Sequence, residues 1–248
     1  MHTLLKAFSD GAIFGDQVGD APRIVALHGW ARDHSDFAET LDGLDHVAID
    51  LPGFGRSPAP PAPWGAADYA EAIAAAIGHL RAPLLVVGHS FGGRVAVHLA
   101  AEHPKMISAL VLTGVPLLHR AGRRSTPPWR FRTARRLHAW HLIGDARMET
   151  LRNRYGSADY RATSGVMREV FVKVVNESYE EQIEATRCPV ELVWGDSDDQ
   201  VPPEVATRAE ALFADARLTL SGGVGHLLPI EAPAVLRAAI ERQRKVGV

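Results

Sequence analysis

Residues 84–93 read Leu84-Leu85-Val86-Val87-Gly88-His89-Ser90-Phe91-Gly92-Gly93, four apolar side chains running into a G-x-S-x-G pentapeptide. The stretch that follows keeps helical spacing as far as His103. A short apolar run of this length predicts a buried strand, and the pentapeptide predicts a tight strand-to-helix turn that lifts the Ser90 hydroxyl to the top of a sheet. Small residues at Gly88 and Gly92 let the backbones approach there without Cβ clashes. The helix points its N-terminal amides at the same spot, where they would stabilise negative charge in a tetrahedral intermediate.

Outward from this turn the pattern repeats. Ile24 to Leu27, Val47 to Ile49, Leu110 to Leu112, Val190 to Trp194 and Leu218 to Leu220 are further short runs rich in β-branched residues or leucine, and read as buried parallel strands. Helical candidates lie between them at Asp68 to Leu80, Ser90 to His103, Glu204 to Leu212 and Ala232 to Val246, with Asp68 as the expected cap of the first. This alternation predicts an α/β fold with a mostly parallel central sheet covered by helices on both faces. Ligands bind such sheets beyond the carboxyl ends of the strands, so chemistry is sought just after each strand.

Between Pro116 and Ala185 the alternation stops, and arginine-rich helical patches follow one another. The expected organisation is a core domain of residues 1–115 and 186–248 with a helical cap inserted at 116–185. From Pro116 to Lys173 the chain carries twelve arginines and one lysine against Asp145, Glu149, Asp159 and Glu169, a net of +9. Solvated helix faces are the first reading of that charge; a peripheral contact with anionic lipid, or recognition of an anionic substrate, is the other. Pro58 to Pro63 reads as a stiff surface connector.

Composition excludes other classes. Over 248 residues, 46% are apolar and the formal net charge is −2, which fits a globular chain and gives no basic footprint for nucleic acid. One cysteine, Cys188, rules out an internal disulfide, and no Cys/His spacing suggests a zinc site, so neither metal nor organic cofactor is expected. Without a signal-like N-terminus or a run of roughly 20 apolar residues, the expected location is the cytoplasm with no integral membrane association.

A serine nucleophile needs a histidine to accept its proton and a carboxylate to hold that imidazole in the right tautomer. With a serine elbow on such a sheet, acid and histidine follow in that order. Of twelve histidines only His226 lies beyond Trp194, in a glycine-rich loop before the last helix, where such a base would stand. The loop after Trp194 offers Asp196, Asp198 and Asp199, and pattern alone leaves the three in competition. Asp50 to Ser57 reads as a turn shaping an entrance, His28 as a structural hydrogen-bonding group, His89 as a packed neutral imidazole and Cys188 as structural.

His28-Gly29-Trp30, Asp50-Leu51-Pro52-Gly53-Phe54-Gly55-Arg56-Ser57, Gly88-His89-Ser90-Phe91-Gly92-Gly93, Gly195-Asp196-Ser197-Asp198 with Val201-Pro202, and Gly225-His226 together resemble the α/β-hydrolase fold superfamily. The resemblance spans about residues 23–115 and 186–248. It implies Asp198 as the acid, the fourth residue of the G-x-x-D-x-x-V-P loop, beside Ser90 and His226. It also implies that Trp30 and Phe91 supply the oxyanion-hole amides, and that the insertion is the family's lid. The expected activity is hydrolysis of small to medium carboxylic esters through an acyl-enzyme. Thioester hydrolysis, C–C bond hydrolysis of a diketone and a non-catalytic small-molecule receptor are the alternatives on the same fold. Serine at the elbow argues against the family's aspartate-nucleophile chemistries.

Overall fold

A computed structural model of the chain describes residues 4–118 and 158–246, with 133–134, 136–138, 140, 142–144, 147–148, 150–151 and 154 between them. Its frame is an eight-stranded sheet: β1 (Leu4–Phe8), β2 (Ile13–Val18), β3 (Ile24–Leu27), β4 (His46–Asp50), β5 (Leu84–His89), β6 (Ile107–Thr113), β7 (Val190–Gly195) and β8 (Ala216–Ser221). The order across the sheet is β1-β2-β4-β3-β5-β6-β7-β8. β3 to β8 run parallel, while β2 pairs antiparallel with both β1 and β4.

Helices of the described residues include α1 (Ala66–Ile77), α2 (Phe91–Glu102), α3 (Ala158–Ala162), α4 (Gly165–Val174), α5 (Glu180–Ala185), α6 (Pro203–Glu210), α7 (Leu228–Glu231) and α8 (Pro233–Val246). Strands β3, β4, β5 and β7 are buried at every position because both faces are covered, and successive residues supply opposite layers. Val25, Leu27, Val47, Ile49, Leu84 and Val86 pack with α1 and α2, whereas Ile24, Ala26, Ala48, Leu85 and Val87 pack with Leu236, Ala239 and Ile240 of α8. From β3 the chain moves outward to β4 and then returns to place β5 on the other side of β3. That reversal opens a crevice at the carboxyl ends of β3 and β5, where an open sheet binds its ligand.

Two expectations are corrected, and one element stands outside them. The β1–β2 hairpin went unread because its residues, LLKAF and IFGDQV, form neither an apolar run nor a clean alternation. Gly15 is required there: a side chain on it would overlap the Ala48 carbonyl of the neighbouring strand. β8 is an edge strand rather than a buried one, and Leu220 is 52% exposed. Asp68 is not the cap of α1 but its third residue, and its Oδ2 accepts from the N–H of Gly65, the capping residue, at 2.7 Å.

Helices α3 to α5 lie between β6 and β7, where the cap was expected. Much of 116–157, including Arg130 to Arg132, Arg135 and Ala139 of the arginine-rich insertion, lies outside the described residues. Among the described residues no helix is long and apolar enough to cross a membrane.

Candidate active site

Strand β5 ends at His89 and α2 begins at Phe91, so the direction of the chain is reversed at the single residue Ser90. Ser90 adopts φ 49° and ψ −112°, a strained conformation for a residue with a Cβ. The strain is sustained by close packing that only glycines allow. A Cβ on Gly92 would overlap the backbone carbonyl of Leu27 at the end of β3, and one on Gly88 would lie 2.5 Å from the Gly93 Cα. The Gly92 N–H also donates to the His28 carbonyl at 3.0 Å, tying the first turn of α2 to the end of β3.

Because the clash at Gly92 is against backbone, it cannot be relieved by a rotamer change. Gly92→Ala is expected to destabilise the fold by about 2–3 kcal/mol, the upper part of the range for overpacked cores. In a chain of this size that lowers the unfolding midpoint by about 5–10 °C. Calorimetry of the variant checks this, and an unchanged midpoint would show that the elbow is looser than its geometry.

The candidate residues from three loops meet at Ser90. His226 Nε2 lies 3.2 Å from Ser90 Oγ, and His226 Nδ1 lies 2.8 Å from Asp198 Oδ2. The second Asp198 oxygen accepts from the backbone N–H groups of Gln200 and Val201 at 2.9 and 2.8 Å, which orients the carboxylate. Both partners of the His226–Asp198 pair are nearly sealed from solvent, with side chains 8% and 1% exposed. The other loop aspartates lie outside this chain of contacts. Asp196 is exposed and braces the turn by accepting from the Gly223 N–H at 2.8 Å, and Asp199 is exposed as well.

The loops carrying the acid and the imidazole are fitted to each other. Trp194 is fully buried and donates its indole N–H to the Val201 carbonyl at 2.8 Å, so β7 holds the far end of the aspartate loop. Gly195 lets the two loops touch, since a Cβ there would overlap the carbonyls of Val224 and Gly225. Glu231 clamps the histidine loop from the other side, accepting from the N–H groups of Gly225 and Leu227, the residues flanking His226, at 2.7 and 3.0 Å. The His89 ring donates from Nε2 to the His226 carbonyl at 3.1 Å. Burial, reinforced by the neighbouring His226 ring, pushes the His89 pKa down to about 3, so this imidazole is neutral.

His28 is likewise a structural group: its Nδ1–H donates to the Gly29 carbonyl at 2.7 Å and its Nε2 accepts from the Leu51 N–H at 2.9 Å. Burial lowers its pKa, in keeping with that neutral tautomer. Asp50 holds the entrance turn, accepting from the N–H groups of His34 and Arg56 at 2.9 and 2.8 Å and from the His34 ring at 2.7 Å. Asp33, His34 and Asp50 present ligand atoms within 4.8 Å of one another, but the Asp50 oxygens are already spent on these N–H donors. Burial pushes the Cys188 thiol up to about 11, the opposite of what a nucleophilic thiol requires.

Trp30 and Phe91 stand side by side, ring centroids 5.4 Å apart, and Trp30 also meets Phe54 at 4.9 Å and Phe171 of α4 at 5.1 Å. Neither the Trp30 nor the Phe91 amide donates to a backbone acceptor among the described residues. They line a cleft of about 230 Å³ together with Ser90, His226, Arg94 and Phe171. Helix α4 forms one wall and is fastened to the core by Lys173, which lies 3.0 Å from Asp68. Sequence reasoning missed Glu231, Arg94 and Phe171, whose roles arise from contacts between distant segments.

A sequence model of the family described as alpha/beta hydrolase fold matches residues 22–233. The chain is 39% identical over 105 residues to the pimeloyl-[acyl-carrier protein] methyl ester esterase of Chromobacterium violaceum, a match covering 40% of this chain and 39% of that relative. It is 27% identical over 235 residues to the enzyme of the same name from Aromatoleum aromaticum, covering 83% and 91% of the two chains. Among solved structures, a thermophilic esterase from Thermogutta terrifontis superposes over the full length of both chains with a TM-score of 0.70 and 19% identity, a likeness of fold.

Proposed function

The chain belongs to the alpha/beta hydrolase fold family, and from that premise we propose that it is a serine hydrolase of small to medium carboxylic esters. The observation that carries this reading is the unbroken chain of contacts from Ser90 Oγ through His226 to Asp198, at 3.2 and 2.8 Å. In it Ser90 attacks the ester carbonyl while His226 Nε2 takes the hydroxyl proton and then delivers it to the departing alcohol. Asp198 holds the imidazole with Nδ1–H toward itself and stabilises the imidazolium that forms. The N–H groups of Trp30 and Phe91 bind the developing oxyanion, with loss of one such donor costing about 3 kcal/mol in comparable sites. Water then repeats the sequence on the acyl-enzyme.

Helices α3 to α5 act as the cap, with Phe171 and Val174 of α4 closing one side of the cleft. The relatives named as methyl ester esterases favour ester over C–C bond chemistry. A volume of about 230 Å³ falls below the roughly 300–1,000 Å³ of pockets for drug-sized ligands. It therefore favours short acyl groups.

Active-site labelling tests the proposal without knowledge of the natural substrate. A fluorophosphonate is expected to add one phosphonyl group at Ser90, located by peptide mass spectrometry, and Ser90→Ala is expected to remain unmodified. Folded protein that stays unlabelled at Ser90 would sink the serine mechanism and leave a receptor on the same fold.

A further inference from the structure

Arg94 lies one turn beyond Ser90 on α2, and residues four apart share a helix face with their side chains leaning toward the N-terminus. Both line the same cleft. Arg94 is only 9% exposed, yet among the described residues no carboxylate pairs with it. The nearby acids are committed elsewhere: Glu177 accepts from the Tyr179 hydroxyl and the Ala66 N–H, Asp68 from Lys173 and the Gly65 N–H, and Glu102 pairs with His98. Asp159 stands on the rim of the cleft and is exposed.

The guanidinium is held by α4 and Tyr179, and one of its donors is left over. Nη1 donates to the Val174 carbonyl at 2.6 Å, and the group sits against the Tyr179 ring at 5.3 Å and interacts with the Tyr179 hydroxyl. Nε is buried without an acceptor among the described residues. A second buried donor on the same cleft, the indole Nε1–H of Trp30, also has none. Folded proteins leave few buried donors unsatisfied, and two on residues that line one cleft beside Ser90 point to an acceptor-rich ligand group. A guanidinium presents parallel N–H bonds that match the two oxygens of a carboxylate.

We propose that Arg94 is the substrate-binding cation of this site and that the ester it serves carries a free carboxylate, as in a half-ester of a short dicarboxylic acid. The assignment rests on the serine-hydrolase reading. It extends that reading by naming the charge of the substrate and the residue that selects it.

The test compares mono-4-nitrophenyl adipate with 4-nitrophenyl adipamate, two esters of the same length that differ by a terminal carboxylate or carboxamide. A charge-assisted hydrogen bond makes the expected preference of the wild type for the carboxylate at least about tenfold in kcat/KM, expressed mainly in KM. Arg94→Gln is expected to bring the ratio close to one and Arg94→Lys to restore part of it. Taking the ratio within each variant cancels any loss of folded enzyme caused by releasing Val174. A wild-type ratio near one, or a ratio unchanged in Arg94→Gln, overturns the assignment while leaving ester hydrolysis intact. Failure of the wild type to hydrolyse either ester faster than Ser90→Ala overturns the serine reading and the assignment with it.

Discussion

Ser90→Ala is expected to lower kcat on a short chromogenic ester by on the order of 10⁵–10⁶, as removal of the nucleophile does in other serine triads. His226→Ala should cost about as much, because residues that act as one unit do not contribute additively. The fold should survive both changes. Ser90 lies at the junction of β5 and α2 with its backbone N–H donating to the Thr113 carbonyl at 2.9 Å, a bond that alanine retains. Alanine at φ 49° is also no more strained than serine. Ser90→Gly makes the converse point: relief of the positive φ is expected to raise stability by about 1 kcal/mol while activity is lost, the signature of strain held for function. An acetate-to-octanoate series on the wild type, run beside these variants with unfolding midpoints for each, gives the check. Equal rates in all of them would remove Ser90 from the chemistry.

Legibility in the sequence followed the range of the interactions. The β5–turn–α2 unit was readable because every determinant of it is local: four apolar residues, glycines flanking a serine, and helical spacing as far as His103. The meeting of His226 with Ser90 was readable from chain order and from the place of His226 after the last strand. Asp198 could not be separated from Asp196 and Asp199 by pattern alone. What distinguishes it is that its side chain turns inward to accept two backbone N–H groups and face His226, whereas its neighbours are exposed. Arg94 was invisible for the same reason, since an arginine on a helix reads as a solvated charge until α4 is seen to cover it. The β1–β2 hairpin was missed because an edge hairpin buries too little to impose a pattern; only Phe8 among the described β1 side chains is buried.

Those three aspartates provide the other large effect. Asp198→Asn is expected to lower kcat by about 10⁴ with little change in KM, the magnitude seen when a triad acid becomes an amide. The amide can keep its oxygen toward the N–H groups of Gln200 and Val201, so the loop geometry, set by bonds of 2.9 and 2.8 Å, is preserved. Its NH₂ then faces His226 Nδ1, a donor where the imidazole also needs to donate. The ring resolves the conflict by moving its proton to Nε2, and the nitrogen that should accept the Ser90 proton becomes a donor toward it. The enzyme keeps its fold, its cleft and its oxyanion donors and loses the base. Asp196→Asn and Asp199→Asn leave the His226 contact untouched and are expected to hold kcat within about twofold, since changes away from buried networks are usually small. Steady-state kinetics on the three variants, with thermal midpoints as the control for folding, decide the matter. A 10⁴ loss in either neighbour, or full activity in Asp198→Asn, would reassign the acid, and a comparable loss in all three would mean that the loop's shape rather than one carboxylate supports catalysis.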